Sequence, residues 1–274
     1  MFADLPKFVF FTGKGGVGKT SLACATALDL AESGRTMLLV STDPASNVGQ
    51  VFGLEIGNHI TAVPAVSGLD ALEIDPEAAA AEYRDRIVGP MRDVLPEKAL
   101  KGIEEQLSGA CTVEIAAFDE FTALLTDNAL TGHTLWMLNL PGAWSGFLET
   151  GGDAFCLGPL AGLEKQRSRY AAAIDSLSDA SRARFVLVAR PRASSLAEAA
   201  RTSGELARNG INNRHLAING LMPDDARGDD LAKDLSARRW TAWMPPLPHC
   251  RSRALRCDPK TLSDLRHCAG WARR

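Results

Sequence analysis

Phe8-Val9-Phe10-Phe11-Thr12-Gly13-Lys14-Gly15-Gly16-Val17-Gly18-Lys19-Thr20-Ser21-Leu22-Ala23 is the stretch that decides the fold. Phe8 to Phe11 is an apolar, β-rich run that reads as a fully buried strand, and Ser21 to Leu28 continues as a good helix former. Strand, glycine turn and helix follow in the order a P-loop requires. The glycines let successive backbone N–H groups curl around phosphate oxygens where a Cβ would crowd the ligand, and the helix N-terminus adds partial positive charge. A nucleotide triphosphate site follows, with ATP and Mg²⁺ as cofactors. Gly13, Lys14, Gly15, Gly16, Val17, Gly18, Lys19, Thr20 and Ser21 form its cradle; Lys19 reaches the β- and γ-phosphates and Thr20 offers its hydroxyl to Mg²⁺.

Beyond the first helix, Gly34 is a stop and Thr36 to Val40 a second buried strand, so the start of the chain reads as a β-α-β unit. Asp43, at the carboxyl end of that second strand, is the expected catalytic residue, orienting water or holding Mg²⁺ through a water; a turn role before Pro44 is the other reading. Further buried strands are expected at Leu69 to Ile74, Arg184 to Pro191 and His215 to Gly220. Asp75-Pro76-Glu77 reads as N-cap, first position and first-turn acid of a helix, and helical periodicity runs through Ile87 to Leu95, Ala99 to Leu107, Leu107 to Phe121 and Leu163 to Leu177. Ser194 or Ser195 is expected to cap a helix running to Arg208. The fold class is α/β, a doubly wound, mainly parallel sheet between two helical layers, with a helical insertion at about 76–177 in a domain spanning 1–239.

Composition sets outer limits. The chain has 274 residues, 46% of them hydrophobic and 23% charged, with a net charge of −3, and this lack of basic excess points away from nucleic acid. No apolar run approaches the roughly 18–20 residues that span a bilayer, and Met1 to Lys7 lacks a basic region followed by an apolar one, so a cytoplasmic location is expected. Six cysteines without a secretory signal read as reduced thiols, candidate ligands before candidate disulfides. Cys111 stands at a helix start, where a thiol pKa is lowered, although a cysteine there also serves as a small packing residue.

Lys14, a second lysine beside the first glycine of the loop, is similar to the deviant P-loop of dimeric ATPases such as the septum-site and plasmid-partition families. That resemblance implies a lysine that crosses a two-fold interface to phosphates on a partner; a solvated surface lysine is the alternative. Together with the P-loop, Asp43-Pro44-Ala45-Ser46-Asn47, Thr131-Gly132-His133-Thr134-Leu135 and the contexts of Cys111 and Cys156 resemble the arsenite- and antimonite-translocating ATPases over about residues 5–238. The resemblance implies ATP hydrolysis stimulated by As(III) or Sb(III), as activator and transported species, and coupled to extrusion through a membrane efflux pump. The ATPase would then sit in the cytoplasm, peripheral to the inner membrane. It implies a metalloid held by Cys111, His133 and Cys156, with further ligands from a second homologous half or from self-association, and a metalloid-delivering chaperone as a further partner. For His133 an ordinary switch-loop hydrogen bond is the other reading. Asn219 resembles the family's adenine-contacting segment, with a turn role before Gly220 as the alternative. The related targeting factor for tail-anchored membrane proteins shares the P-loop and Thr-Gly-His-Thr, but its Cys-x-x-Cys zinc pair does not occur here.

Two departures matter. Only Asn128, Ala129 and Leu130 separate Asp127 from Thr131, where the family has an apolar strand ending in Asp-Thr-Ala-Pro; that core strand and its Mg²⁺-holding aspartate are absent. The loss leaves an interior hydrogen-bond ladder beside the P-loop strand to be repaired by a neighbouring segment and makes a non-hydrolysing nucleotide-binding module the rival reading. Residues 240–274, with three of the five tryptophans and three of the six cysteines, match no family segment and read as an atypical, disordered tail.

Overall fold

A computed structural model of the chain describes residues 5–42, 48–126, 132–138, 163–221 and 251–254. The chain divides into two compact units, one of Met1–Glu73, Thr131–Asn139 and Leu177–Arg274, the other of Ile74–Leu130 and Leu140–Ser176.

The first unit holds the sheet. Its strands are β1 (Phe8–Thr12), β2 (Met37–Ser41), β3 (Thr61–Ala62), β4 (Leu69–Glu73), β5 (His133–Leu138), β6 (Ala183–Ala189), β7 (Arg214–Ile218) and β8 (Arg251–Ala254). They lie side by side in the order β3-β4-β2-β5-β1-β6-β7-β8. All neighbours are parallel except the β3–β4 pair. β1 and β2 are buried at every position, as expected of apolar runs in a parallel sheet covered on both faces. Helix α1 (Lys19–Glu32) is buried along most of its length and packs Leu22, Ala23 and Leu28 into one core with Val9, Phe11, Leu39 and Val186. The alternate residues form an aromatic row on the opposite face, with the Phe10 ring 6.2 Å from Trp136 and 4.8 Å from Phe185. Short α2 (Val48–Phe52) begins at Val48, whose N–H donates to Glu73 Oε1 at 3.1 Å.

The sheet position beside β1 is not empty. β5 fills it, pairing in parallel with β1 (Phe10↔Trp136, Thr12↔Leu138) and with β2 (Leu39↔Leu135). His133, for which a switch-loop hydrogen bond was the other reading, therefore opens an interior strand. The reason is energetic: an open slot would leave two rows of buried backbone donors and acceptors unpaired, each costing about 1–3 kcal/mol. His-Thr-Leu-Trp-Met-Leu can occupy it because alternate apolar residues serve both covered faces, and a one-residue slip would exchange those faces. Gly132 opens the way in, since a Cβ there would lie 2.5 Å from the Thr36 carbonyl oxygen.

Two smaller expectations change. Arg251–Ala254, inside the segment read as a tail, pairs as a strand with β7, since an edge offers backbone hydrogen bonds to any sequence that can extend along it. Ser194 and Ser195 do not cap the helix α7 (Ala193–Arg208); its N-cap is Arg192, which makes no side-chain cap bond, and the Ser195 hydroxyl instead accepts from Arg190 N–H at 2.9 Å.

The second unit is helical: α3 (Pro76–Val88), α4 (Glu97–Gln106), α5 (Ala110–Thr126) and most of α6 (Leu163–Ser178). Asp75 caps α3, its Oδ1 accepting from Glu77 N–H at 2.9 Å, with Pro76 at the first position. The helix expected from Ile87 to Leu95 is broken into the 3₁₀ turn Gly89–Met91, because Pro90 lacks a backbone donor. Between α3 and α5, Arg86 Nη1 meets the buried Asp119 Oδ2 at 3.1 Å. Among the described residues no helix is long and apolar enough to cross a membrane.

Candidate functional site

Parallel strands end together, so the turn between β1 and α1 stands at the carboxyl edge of the sheet at a point where the strand order reverses, the usual ligand crevice of such folds. Each glycine of the turn has its own reason. At Gly13 a Cβ would lie 2.3 Å from the Val188 carbonyl oxygen, so β6 requires the bare backbone. Gly16 has φ +75° and Gly18, the N-cap of α1, φ +91°, both left-handed values that side chains rarely adopt. Gly15 and Gly16 have no neighbour within 4 Å of where a Cβ would stand, so the tip of the loop is open. Beyond it, the first N–H groups of α1 have no intrahelical acceptor, as at any helix start, and point their partial positive charge into that space.

Lys19 is 7% exposed, and its Nζ donates to the Gly13 carbonyl oxygen at 3.0 Å across the loop. The ammonium is thus held inside the turn, where it can transfer to a phosphate oxygen with little rearrangement. Thr20 is half-buried in the first helical turn. One hydroxyl fits Mg²⁺, which keeps several waters and takes its other oxygens from a nucleotide; bound there, the cation would neutralise phosphate charge. Lys14 is exposed at the loop tip. It lies near Glu198 of α7, whose carboxyl is held below the usual carboxylate range, first by hydrogen bonding to Arg201 and more weakly by the field of Lys14.

On the other flank, Thr42 closes β2 onto β5, its N–H and hydroxyl both donating to the Met137 carbonyl oxygen, at 3.2 and 3.3 Å. Asp43, which follows it, lies outside the described residues, as do Cys156 and the side chain of Cys111. His133 stands at the amino end of β5, five strand residues or about 16 Å from the phosphate edge. Its Nδ1 donates to the Pro6 carbonyl oxygen at 3.0 Å, leaving Nε2 for any ligand. The structure therefore does not bring His133 to the phosphate loop. Nor does the strand now beside β1 carry a carboxylate: from His133 to Leu138 it is His-Thr-Leu-Trp-Met-Leu. Cys24, the one free thiol among the described residues, is fully buried under the sheet, and burial together with Glu73 pushes its pKa well above the usual thiol range, so it is a packing residue.

Asn219 is 1% exposed and its amide is engaged with the loop: Nδ2 donates to the Val17 carbonyl oxygen at 3.0 Å, and Oδ1 accepts from Gly220 N–H at 2.8 Å. Val188 and Arg190 escape a reading of the sequence. The first walls Gly13, and the guanidinium of the second lies over Gly220, 2.5 Å from where a Cβ would stand. Only their position at the end of β6, next to β1, could have suggested them.

Gly18→Ala is expected to lower stability by about 1–2 kcal/mol from left-handed backbone alone, before its Cβ meets Asn219 Nδ2 at 2.2 Å. A thermal unfolding midpoint equal to the parent's would show that the turn relaxes freely.

The chain matches the anion-transporting ATPase family over residues 6–154 and again over 151–241. It is 57% identical over 257 residues to an arsenical pump-driving ATPase of Acidiphilium multivorum, covering 88% of this chain and 44% of that protein. An Escherichia coli protein of the same name is 56% identical over 254 residues, with 87% and 44% covered. The ATPase GET3 of Malassezia globosa is 31% identical over 245 residues, with 79% and 73% covered. The chain spans under half the length of the arsenical pump-driving relatives. With a doubly lysinated phosphate loop at the switch point of a doubly wound sheet, and with this extent of similarity, the chain belongs to the anion-transporting ATPase family.

Proposed function

We propose that this chain binds Mg-ATP at Gly13–Ser21 and hydrolyses it under the control of As(III) or Sb(III), driving metalloid efflux through a membrane pump. The observation that carries the reading is the loop itself: an open glycine tip, Lys19 buried with its ammonium held to the Gly13 carbonyl oxygen, and the start of α1 beside it. The names of the relatives support the arsenical pump. In this reading the loop N–H groups and Lys19 stabilise the phosphate charge that develops during transfer, and Asp43 orients the attacking water. Lys14 acts across a two-fold interface on a second copy or a homologous half. Cys111 and Cys156 hold the metalloid through thiolates, with His133 limited to Nε2. Binding at those thiols draws two nucleotide-bearing copies together, which couples the metalloid to hydrolysis.

A second reading has its own support. β5 occupies the slot beside β1 without a carboxylate, and His133 stands at its far end, which favours a module that binds nucleotide without turning it over. The similarity to GET3 adds targeting of tail-anchored proteins as a third possibility. Phosphate release in Mg-ATP, with and without antimonite, separates them. Stimulation by antimonite that disappears in Cys111→Ser is the expected result for the first reading. Nucleotide binding with no phosphate release in either condition selects the second.

A further inference from the structure

Asn219 follows β7 at the carboxyl edge of the sheet, and its backbone N–H donates to the Ala189 carbonyl oxygen at 2.8 Å, which pins it to the end of β6. From there the side chain reaches the turn between β1 and α1, 202 residues earlier in the chain, and donates to the Val17 carbonyl oxygen at 3.0 Å. Its other end accepts from Gly220 N–H at 2.8 Å. Chemistry fixes this orientation: a flipped amide would set donor against donor and acceptor against acceptor. Gly18 is bare where the amide sits, since a Cβ there would come within 2.2 Å of Nδ2.

The Val17 carbonyl and the Gly18 N–H belong to one planar trans peptide and point in opposite directions. Anchoring the oxygen therefore sets the aim of the N–H. We infer that Asn219 is a positioning residue for the phosphate loop, holding the Val17–Gly18 peptide so that its N–H faces a bound triphosphate. Asn219 then acts on the polyphosphate through the loop, whatever its amide also does toward a base. The inference rests on the reading of Gly13–Ser21 as a triphosphate site. It explains why a fully buried amide spans two strands of the sheet to reach a loop, and why Gly18 cannot carry a side chain.

The test is equilibrium binding of Mg-ATP and of inorganic tripolyphosphate, which has no base, to the full chain and to Asn219→Ala. Binding is measured well below each protein's unfolding midpoint. Asn219→Ala is expected to weaken tripolyphosphate about tenfold, as for one lost buried hydrogen bond, and Mg-ATP by at least that factor. Gly18→Ala is expected to cost less in the Asn219→Ala background than alone, because the clash with Nδ2 is gone. Loss confined to ATP would make Asn219 a base reader and overturn the inference, as would unchanged affinity for both ligands. If the parent chain binds neither ligand, the triphosphate site itself fails, a result distinct from any behaviour of the variant. Should Asn219→Ala not fold, Asn219→Ser, too short to reach Val17, takes its place. Failure of both to fold would make Asn219 a residue of the fold and end the proposal.

Discussion

Lys19→Met lowers affinity for Mg-ATP by about two orders of magnitude while leaving the chain folded. Methionine keeps the aliphatic stem that packs in the buried position, so the substitution removes the ammonium and little else. A hydrogen bond to a charged group contributes roughly 1.5–3 kcal/mol, and in the proposed site Lys19 would reach two phosphates, so a loss near 3 kcal/mol, about 150-fold, is expected. Part of the effect comes from the loop, because the bond from Nζ to the Gly13 carbonyl oxygen also holds the turn closed before any ligand arrives. Equilibrium titration with Mg-ATP measures it, with the thermal midpoint as control. An affinity within threefold of the parent's, in a folded protein, would remove Lys19 from the phosphate site and with it the main support for nucleotide binding here.

Trp136→Ala is expected to destabilise the chain by about 3–5 kcal/mol, as large-to-small changes at fully buried aromatics do. Trp136 is 0% exposed and belongs to the aromatic row through Phe10 to Phe185. At roughly 2–4 °C per kcal/mol for a chain of this size, the midpoint falls by about 6–20 °C. The prediction discriminates sharply between two placements of the same residues. A tryptophan on a switch loop at the sheet edge would lose little on truncation, and a shift below about 2 °C would move His133–Leu138 out of the sheet interior. A large shift means that the strand beside the P-loop strand is the one formed by these six residues.

Local chemistry explains what was legible beforehand. Asp75-Pro76-Glu77 carries its cap, its fixed φ and its first-turn acid within three residues, so the start of α3 could be read directly. Ser195 could not, because its hydroxyl is used by Arg190 N–H, a partner set by where β6 ends. Pro90 was visible and should have stopped the helix expected from Ile87. Leu135-Trp136-Met137-Leu138 was likewise visible as a β-prone apolar run, but it was not among the strands expected from the sequence.

The phosphate loop, the α/β class and the family were determined by the sequence alone, because a P-loop is a short-range object whose strand, glycines, lysine and helix start are adjacent in the chain. Tertiary structure alone decided which segment closes the sheet beside β1 and what Asn219 holds. Both depend on partners far apart in sequence, Phe10 with Trp136 and Val17 with Asn219. Neither pairing has a local signature: a buried slot in a sheet accepts whichever apolar segment can reach it in register, and a buried amide serves whichever carbonyl the fold sets before it.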